Sequence, residues 1–369
     1  MQFRSLENNK KRILLVTKQI FKSPTGGREL LCKLNYDALK FIYGDCLILF
    51  ELSNFRLTGV KASLNAFRGY IDGLDVDSIG NAMRVIESEN IVKVFVDGSN
   101  LGEFASVLKH KYPQVEVIVF FHNVEARFFW GSLRLHKSVR ALAVLVANTL
   151  AERKAVKFSD KRICLSERDS RLLKKLYGQG ATHIAPMVLE DKCPAFFMQV
   201  SAQVPERFAL FVGGTFYANR AGIAWFVREV VPQIDLPVYI VGRGFETLRD
   251  QLEVPGKVIV VGAVDSLADW YHRAQFVIAP IFDGSGMKTK VAEALMYGKK
   301  IVGTSEAFSG YENVVELAGW LCDTADEFSR AINAASKEIS TSFNPVLRNI
   351  YEQRYSMAAA QERLRQVLT

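Results

Sequence analysis

Residues Ala279–Gly298 read A-P-I-F-D-G-S-G-M-K-T-K-V-A-E-A-L-M-Y-G, and this stretch limits the fold more than any other. The run before it, Gln275–Ala279, is short and apolar and stops at Pro280, as a buried parallel strand does. Asp283-Gly284-Ser285-Gly286 is a tight turn. A helix is predicted to open near Met287 and to end at Gly298. A strand, a glycine turn and a helix in this order leave backbone N–H groups and the positive helix end aimed over the turn. Such an arrangement binds anions.

The helix is two-sided. At about 100° per residue, Met287, Val291, Ala294, Leu295 and Gly298 share a face that packs on a sheet. Thr289, Lys290, Glu293 and Tyr297 share another, with Lys288 at its mouth. Two lysines in a first turn oppose the helix dipole unless an anion is bound, and two lysines suit a diphosphate. Glu293 is placed to accept hydrogen bonds from a ribose. A solvated polar helix face is the plainer alternative.

The pattern P-x-x-x-G-x-G-x-K-x-K-x-x-E-A-L-x-x-G-K resembles the donor-site signature of family 4 of the nucleotide-sugar glycosyltransferases, two-domain enzymes of the GT-B fold. Many members carry two glutamates eight apart here. Glu293 matches the second, the ribose ligand, while Ser285 stands where the first would fall. The chain therefore resembles the variant with G-x-G-x-K-x-K, with Asp283, Gly284, Ser285, Gly286, Met287 and Thr289 also in reach of the donor.

The remaining chain reads as strands alternating with helices, so each half is expected to form a doubly wound α/β sheet. In the first half, Lys11–Thr17 is a strand, and Gly26-Gly27 precedes a helix from about Arg28 to Lys40. That loop lies at a carboxyl strand edge, where ligands bind; a plain tight turn is the other reading. It lacks the G-x-G-x-x-G of a dinucleotide fingerprint. The strand Val115–Phe121 ends in His122-Asn123-Val124-Glu125, again a place where chemistry usually occurs. The resemblance implies a deep cleft between the domains, with acceptor contacts at Gly26, Gly27, His122, Asn123 and Glu125. Of these, His122 is the candidate for a catalytic part, together with Lys288 and Glu293.

In the second half, Phe208–Val212 is a strand followed by Gly213-Gly214-Thr215. Pro237–Val241 ends in Gly242-Arg243-Gly244, and Val258–Val261 leads to Gly262-Ala263-Val264. The resemblance implies that Gly213 and Gly214 let the backbone approach the donor phosphates. It also makes Arg220, Gly242, Arg243 and Val264 donor-side candidates. The expected domains are residues 1–185, a proline-containing linker at 186–206, a nucleotide-sugar domain at 207–343, and a last helix at 344–369, bent near Tyr355-Ser356 and crossing back to the first domain.

Charge is uneven. Residues 1–185 hold 29 Lys and Arg against 18 Asp and Glu, whereas residues 186–369 hold 18 against 21. Within 127–162 the ratio is nine to two, among Phe128, Phe129, Trp130 and a run of Leu, Val and Ala. A basic amphipathic stretch of this kind lies on anionic membrane surfaces. A core helix with solvated charges is the other reading. Nucleic acid is disfavoured, because no stacking or helix-turn-helix pattern accompanies the charge. No apolar run is long enough to span a bilayer, and the first ten residues lack a signal core. Five scattered cysteines without C-x-x-C spacing suit a reducing compartment.

The resemblance thus implies a retaining, metal-independent enzyme that needs no cofactor. It moves sugar from a nucleotide diphosphate sugar, UDP among the candidates, to a glycan or lipid-linked acceptor in cell-surface polysaccharide or glycoconjugate synthesis. The expected place is the cytoplasm, at the inner face of the membrane. An epimerase of the same architecture, or a non-catalytic subunit of a polysaccharide assembly, are the rivals.

Overall fold

The computed structural model describes residues 12–22, 24, 26–53, 64–199, 204–284 and 286–369. Ser285, Thr25 and most of the polar stretch 53–63 lie outside them. The chain forms two units: one from the N-terminus to Pro186 with Ala360–Thr369, the other from Met187 to Ala359.

The first unit holds the strands β1 (Ile13–Lys18), β2 (Leu47–Leu52), β3 (Lys93–Asp97), β4 (Glu116–Phe121), β5 (Lys161–Cys164) and β6 (His183–Ile184). All neighbours are parallel, in the order β2-β1-β3-β4-β5-β6. Strands covered on both faces are continuous apolar runs, and Ile13 to Val16 and Val117 to Phe120 are buried throughout. The chain steps from β1 to β2, then returns across β1 to β3. Loops therefore diverge at the carboxyl ends of β1 and β3 and leave a crevice there.

The second unit repeats the scheme with β7 (Ala209–Val212), β8 (Val238–Val241), β9 (Val258–Gly262), β10 (Phe276–Ala279), β11 (Ile301–Gly303) and β12 (Gly319–Leu321). Its parallel order is β12-β11-β10-β7-β8-β9, so the reversal falls between β7 and β10. The helix Tyr217–Glu229 packs closely on the end of β10 through Gly222, where a methyl group would overlap the carbonyl oxygen of Pro280. Backbone cannot retreat as a flexible side chain can. Gly222→Ala is therefore expected to cost about 1–3 kcal/mol, read as a lowered melting temperature.

Two of the expected segments take a defined form. Within the expected linker at 186–206, residues 187–199 are tied down. Leu189 bridges to Ser356, Arg348 Nη1 donates to Asp191 at 2.9 Å, and Ala195–Gln199 is a short helix. The last helix is two, Pro345–Arg354 and Met357–Leu368, separated at Tyr355-Ser356. Asn344 caps the first, and Ser356 Oγ accepts from the Ala359 amide at the start of the second. Residues from Ala360 onward belong to the first unit, where Lys161 Nζ donates to the Val367 carbonyl at 2.6 Å.

Candidate functional site

In the second unit, the site grows from the reversal between β7 and β10. The helix expected to face an anion spans Thr289–Met296, two residues later than its expected start, with Lys288 as an extended N-cap and no side-chain cap. The Val291 amide turns back to the Lys288 carbonyl at 3.4 Å, so the amides that precede any helical acceptor are those of Thr289 and Lys290. Lys290 sits in this first turn, 7% exposed. Its Nζ donates to the Val212 carbonyl at the end of β7 and lies 4.9 Å from the centre of the Phe211 ring. The cation is thus fixed in the crevice beside the glycine loop.

The loops close on one another because they lack side chains. A Cβ at Gly213 (φ +157°) would collide with Lys290 Nζ, and one at Gly242 (φ +152°) would overlap the Gly213 carbonyl. Asn219 Nδ2 donates to the Gly214 carbonyl at 2.8 Å, and Glu246 accepts from the Gly244 amide at 2.9 Å.

The polar helix face read from the sequence is turned inward rather than solvated. Burial lowers the Lys290 pKa to about 8, against the opposing charge of Glu293. Burial raises Glu293, while Lys290 and a 3.0 Å hydrogen bond from Tyr271 Oη oppose that shift. Tyr297 stacks on Tyr271 with ring centres 4.4 Å apart. Lys288 is not a free cation. Its Nζ pairs with Glu306 Oε1 at 3.0 Å and donates to the Gly286 carbonyl.

The other donor-side candidates fall in three places. Gly214 and Arg243 are exposed at the ends of β7 and β8, and Val264 is half-buried after β9. Asp283 accepts from the Gly284 amide at 2.7 Å and from Tyr217 Oη at 3.2 Å, while Gly286 takes a positive φ of 67°. Met287 is buried against Gly310, and Thr289 is half-buried at the helix start. Arg220 is exposed and lines a hollow of about 350 Å³ with Tyr217, Leu248 and Gln251.

In the first unit, the expected acceptor residues follow β1 and β4. Gly26 and Gly27 are exposed at the open end of the helix Gly27–Tyr43, which has no side-chain cap. Asn123 is half-buried. His122 departs from expectation: it is 2% exposed, and its Nε2 is held at 2.7 Å by Asp97 Oδ1. Asp97 also accepts from Thr17 Oγ1 and Asn35 Nδ2, each at 2.8 Å. Burial pushes Asp97 up, yet His122, Thr17 and Asn35 together hold its pKa down at about 2. Asp97 is not among the residues that the sequence points to, and its only local signal is the glycine that follows it at the end of an apolar strand.

The Sγ of Cys32 lies near Asp97 and His122, and atoms of all three fall within 4.8 Å of one another. Both Asp97 oxygens are already engaged by Thr17, Asn35 and His122, and burial pushes the Cys32 thiol up.

Glu125 is buried beside Arg28, whose guanidinium also donates to Asp72 at 2.6 Å and to Asn100 at 2.7 Å. The glycine loop and the H-N-V-E loop are therefore neighbours. Burial raises the Glu125 pKa to about 7; Arg28 opposes the shift and Glu152 adds to it. Glu152, also missed from sequence, accepts the Glu125 amide at 2.8 Å and the Tyr177 hydroxyl at 2.7 Å, so it caps the helix Glu125–His136.

Among the described residues no helix is long and apolar enough to cross a membrane. Residues 206–338 match the family model described as glycosyl transferases group 1. A search of curated proteins finds no match. Solved structures share the architecture over nearly the whole chain. Sucrose-phosphate synthase from Thermosynechococcus elongatus has a TM-score of 0.69 at 14% identity, over 97% of this chain and 98% of that one. Anabaena HepE in complex with UDP has a TM-score of 0.66 at 13% identity, over 97% and 99%. The apo lipopolysaccharide outer core galactosyltransferase WaaB has a TM-score of 0.64 at 14% identity, over 97% and 99%. The chain therefore has the GT-B fold, and its second unit is similar to the group 1 glycosyl transferases.

Proposed function

We propose that this protein is a retaining glycosyltransferase whose donor, a nucleotide diphosphate sugar, lies on the second unit. The observation that carries this reading is Lys290, a cation anchored where the strand order reverses, next to an uncapped helix end and to Gly213 and Gly242, where a Cβ would collide. Negative charge grows on the diphosphate as it leaves. A fixed cation and helix amides stabilise that charge most in the transition state, where rate is gained. In this reading they do the work that a divalent cation does elsewhere, so activity is expected to survive EDTA. Glu293 retains one oxygen for a ribose hydroxyl, since Tyr271 occupies the other. The HepE complexes with UDP and UDP-glucose support a uridine donor.

The first unit takes the acceptor at Gly26, Gly27, Asn123 and Glu125, with His122 and Asp97 as the scaffold beneath. A glycan or lipid-linked acceptor in cell-surface polysaccharide or glycoconjugate synthesis fits the basic surface of this unit. Peripheral contact with the inner face of an anionic membrane fits it as well.

A melting-temperature screen against UDP-, GDP- and TDP-sugars tests the donor. A ligand that binds only the folded state must raise the transition. No shift with any of them would overturn the proposal. An NMR assay of the responding sugar without acceptor separates transfer from epimerisation. Affinity for that sugar is expected to fall above about pH 8. Lys290 loses its proton there rather than near its ordinary value of 10.5, and the neutral amine no longer attracts the diphosphate. Calorimetry from pH 7 to 9.5 reads this directly, and a flat profile would remove Lys290 from the site.

A further inference from the structure

The helix Val139–Phe158 is apolar on two opposite sides. Its inner side carries Ala147, Ala151 and Ala155 at four-residue spacing, all buried. It lies close on the helix Gly102–Lys111, where a methyl group on Gly102 would overlap the Ala151 carbonyl. Small residues thus face the core. The bulky ones, Leu142, Val146 and Leu150, repeat at the same spacing on the outer side and are exposed, Leu142 to 48% and Leu150 to 42%. A helix that is hydrophobic all round requires an apolar surrounding on both sides.

The outer side is one wall of a hollow. The helices Glu125–His136 and Glu167–Tyr177 supply the others. The hollow encloses about 490 Å³, and Trp130, Leu145, Val146, Leu150, Leu172 and Leu176 line it. Trp130 is 55% exposed at the edge. Arg127 also contributes to the lining, and Arg134, Lys137 and Arg140 are exposed at the turn one step further along. Arg134, Lys137 and Arg140 fit an anionic headgroup next to an apolar slot. Tryptophan at an apolar edge with arginine and lysine beside it is the composition that seats at a lipid interface. The hollow also starts at Ala126, one residue after Glu125, which ends the H-N-V-E loop.

We propose that this hollow takes a hydrocarbon chain of an anionic lipid, with the basic turn on the headgroup. That the lipid is the acceptor rests on the transferase reading above. The docking itself does not.

The test uses the full chain and vesicles of phosphatidylcholine, with or without phosphatidylglycerol. Binding is expected only with the anionic lipid. Bromine-labelled acyl chains are expected to quench the fluorescence of Trp130, with Trp130→Phe as the blank. The double variant Val146→Glu and Leu150→Glu, on the solvent side of its helix, is expected to bind at least about tenfold more weakly and to lose the quenching, at an unchanged melting temperature. Absence of binding, or binding without Trp130 quenching, would overturn the proposal. Should the variant misfold, the quenching of the native chain still decides. The nucleotide-sugar melting shift is recorded in parallel. Its loss with lipid docking intact would defeat the transferase reading and leave the lipid site standing.

Discussion

Lys290→Met is expected to lower sugar-transfer turnover by roughly 10²–10³-fold, the scale of a removed transition-state charge contact. The same change should leave the melting temperature equal or higher. Lys290 is buried, and its pKa is lowered to about 8. The unfolded chain holds that proton more tightly, so stability rises as pH increases from about 8 to about 10.5. At neutral pH the buried charge therefore costs on the order of 3 kcal/mol. Methionine has a similar length and no charge to desolvate, so it relieves this penalty, offset in part by the lost hydrogen bond to Val212. Loss of activity together with retained stability distinguishes a functional cation from a structural one. Turnover like that of the native protein would refute the donor site as drawn. Lys288, already neutralised by Glu306, is expected to matter less.

Asp97→Asn is expected to destabilise the first unit by about 3–5 kcal/mol. Three donors point into the native carboxylate: Thr17 Oγ1, Asn35 Nδ2 and His122 Nε2. An asparagine must turn its own NH₂ group toward at least one of them, inside a fully buried site. Denaturant unfolding should show an earlier transition for this unit, while the melting shift given by a nucleotide sugar is retained. Acid adds a second signature. Asp97 is held at about 2, below its ordinary 3.8. Its contribution is full above the unfolded value and is lost as pH falls toward 2, about 2 kcal/mol in all. The variant lacks this loss between pH 4 and 2. A variant within 1 kcal/mol of the native protein would show that the cluster does not support the fold.

How much of this was legible beforehand follows from the range of the forces involved. The apolar runs Leu14–Val16, Val117–Phe121 and Phe276–Ala279 announce buried parallel strands, because solvent-free faces on both sides demand continuous hydrophobicity. Strands β6 and β12 carry no such run. They have two and three residues and exist by pairing with β5 and β11, a long-range effect that local pattern does not record. The helix Glu167–Tyr177 is capped by Ser166 and stopped by Gly178, both local chemistry of the same legible kind.

The chemistry divides along the same line. The amino-acid order alone determined the glycine turn, the lysines at the helix start and the histidine and glutamate after β4, since these are spacings along one backbone. Only the tertiary structure decided what they face. Pairing of β7 with β10 buried Lys290 against Val212, and Asp97 on neighbouring β3 captured His122. Folding joins groups that are distant in the chain, and burial then fixes their charges and partners.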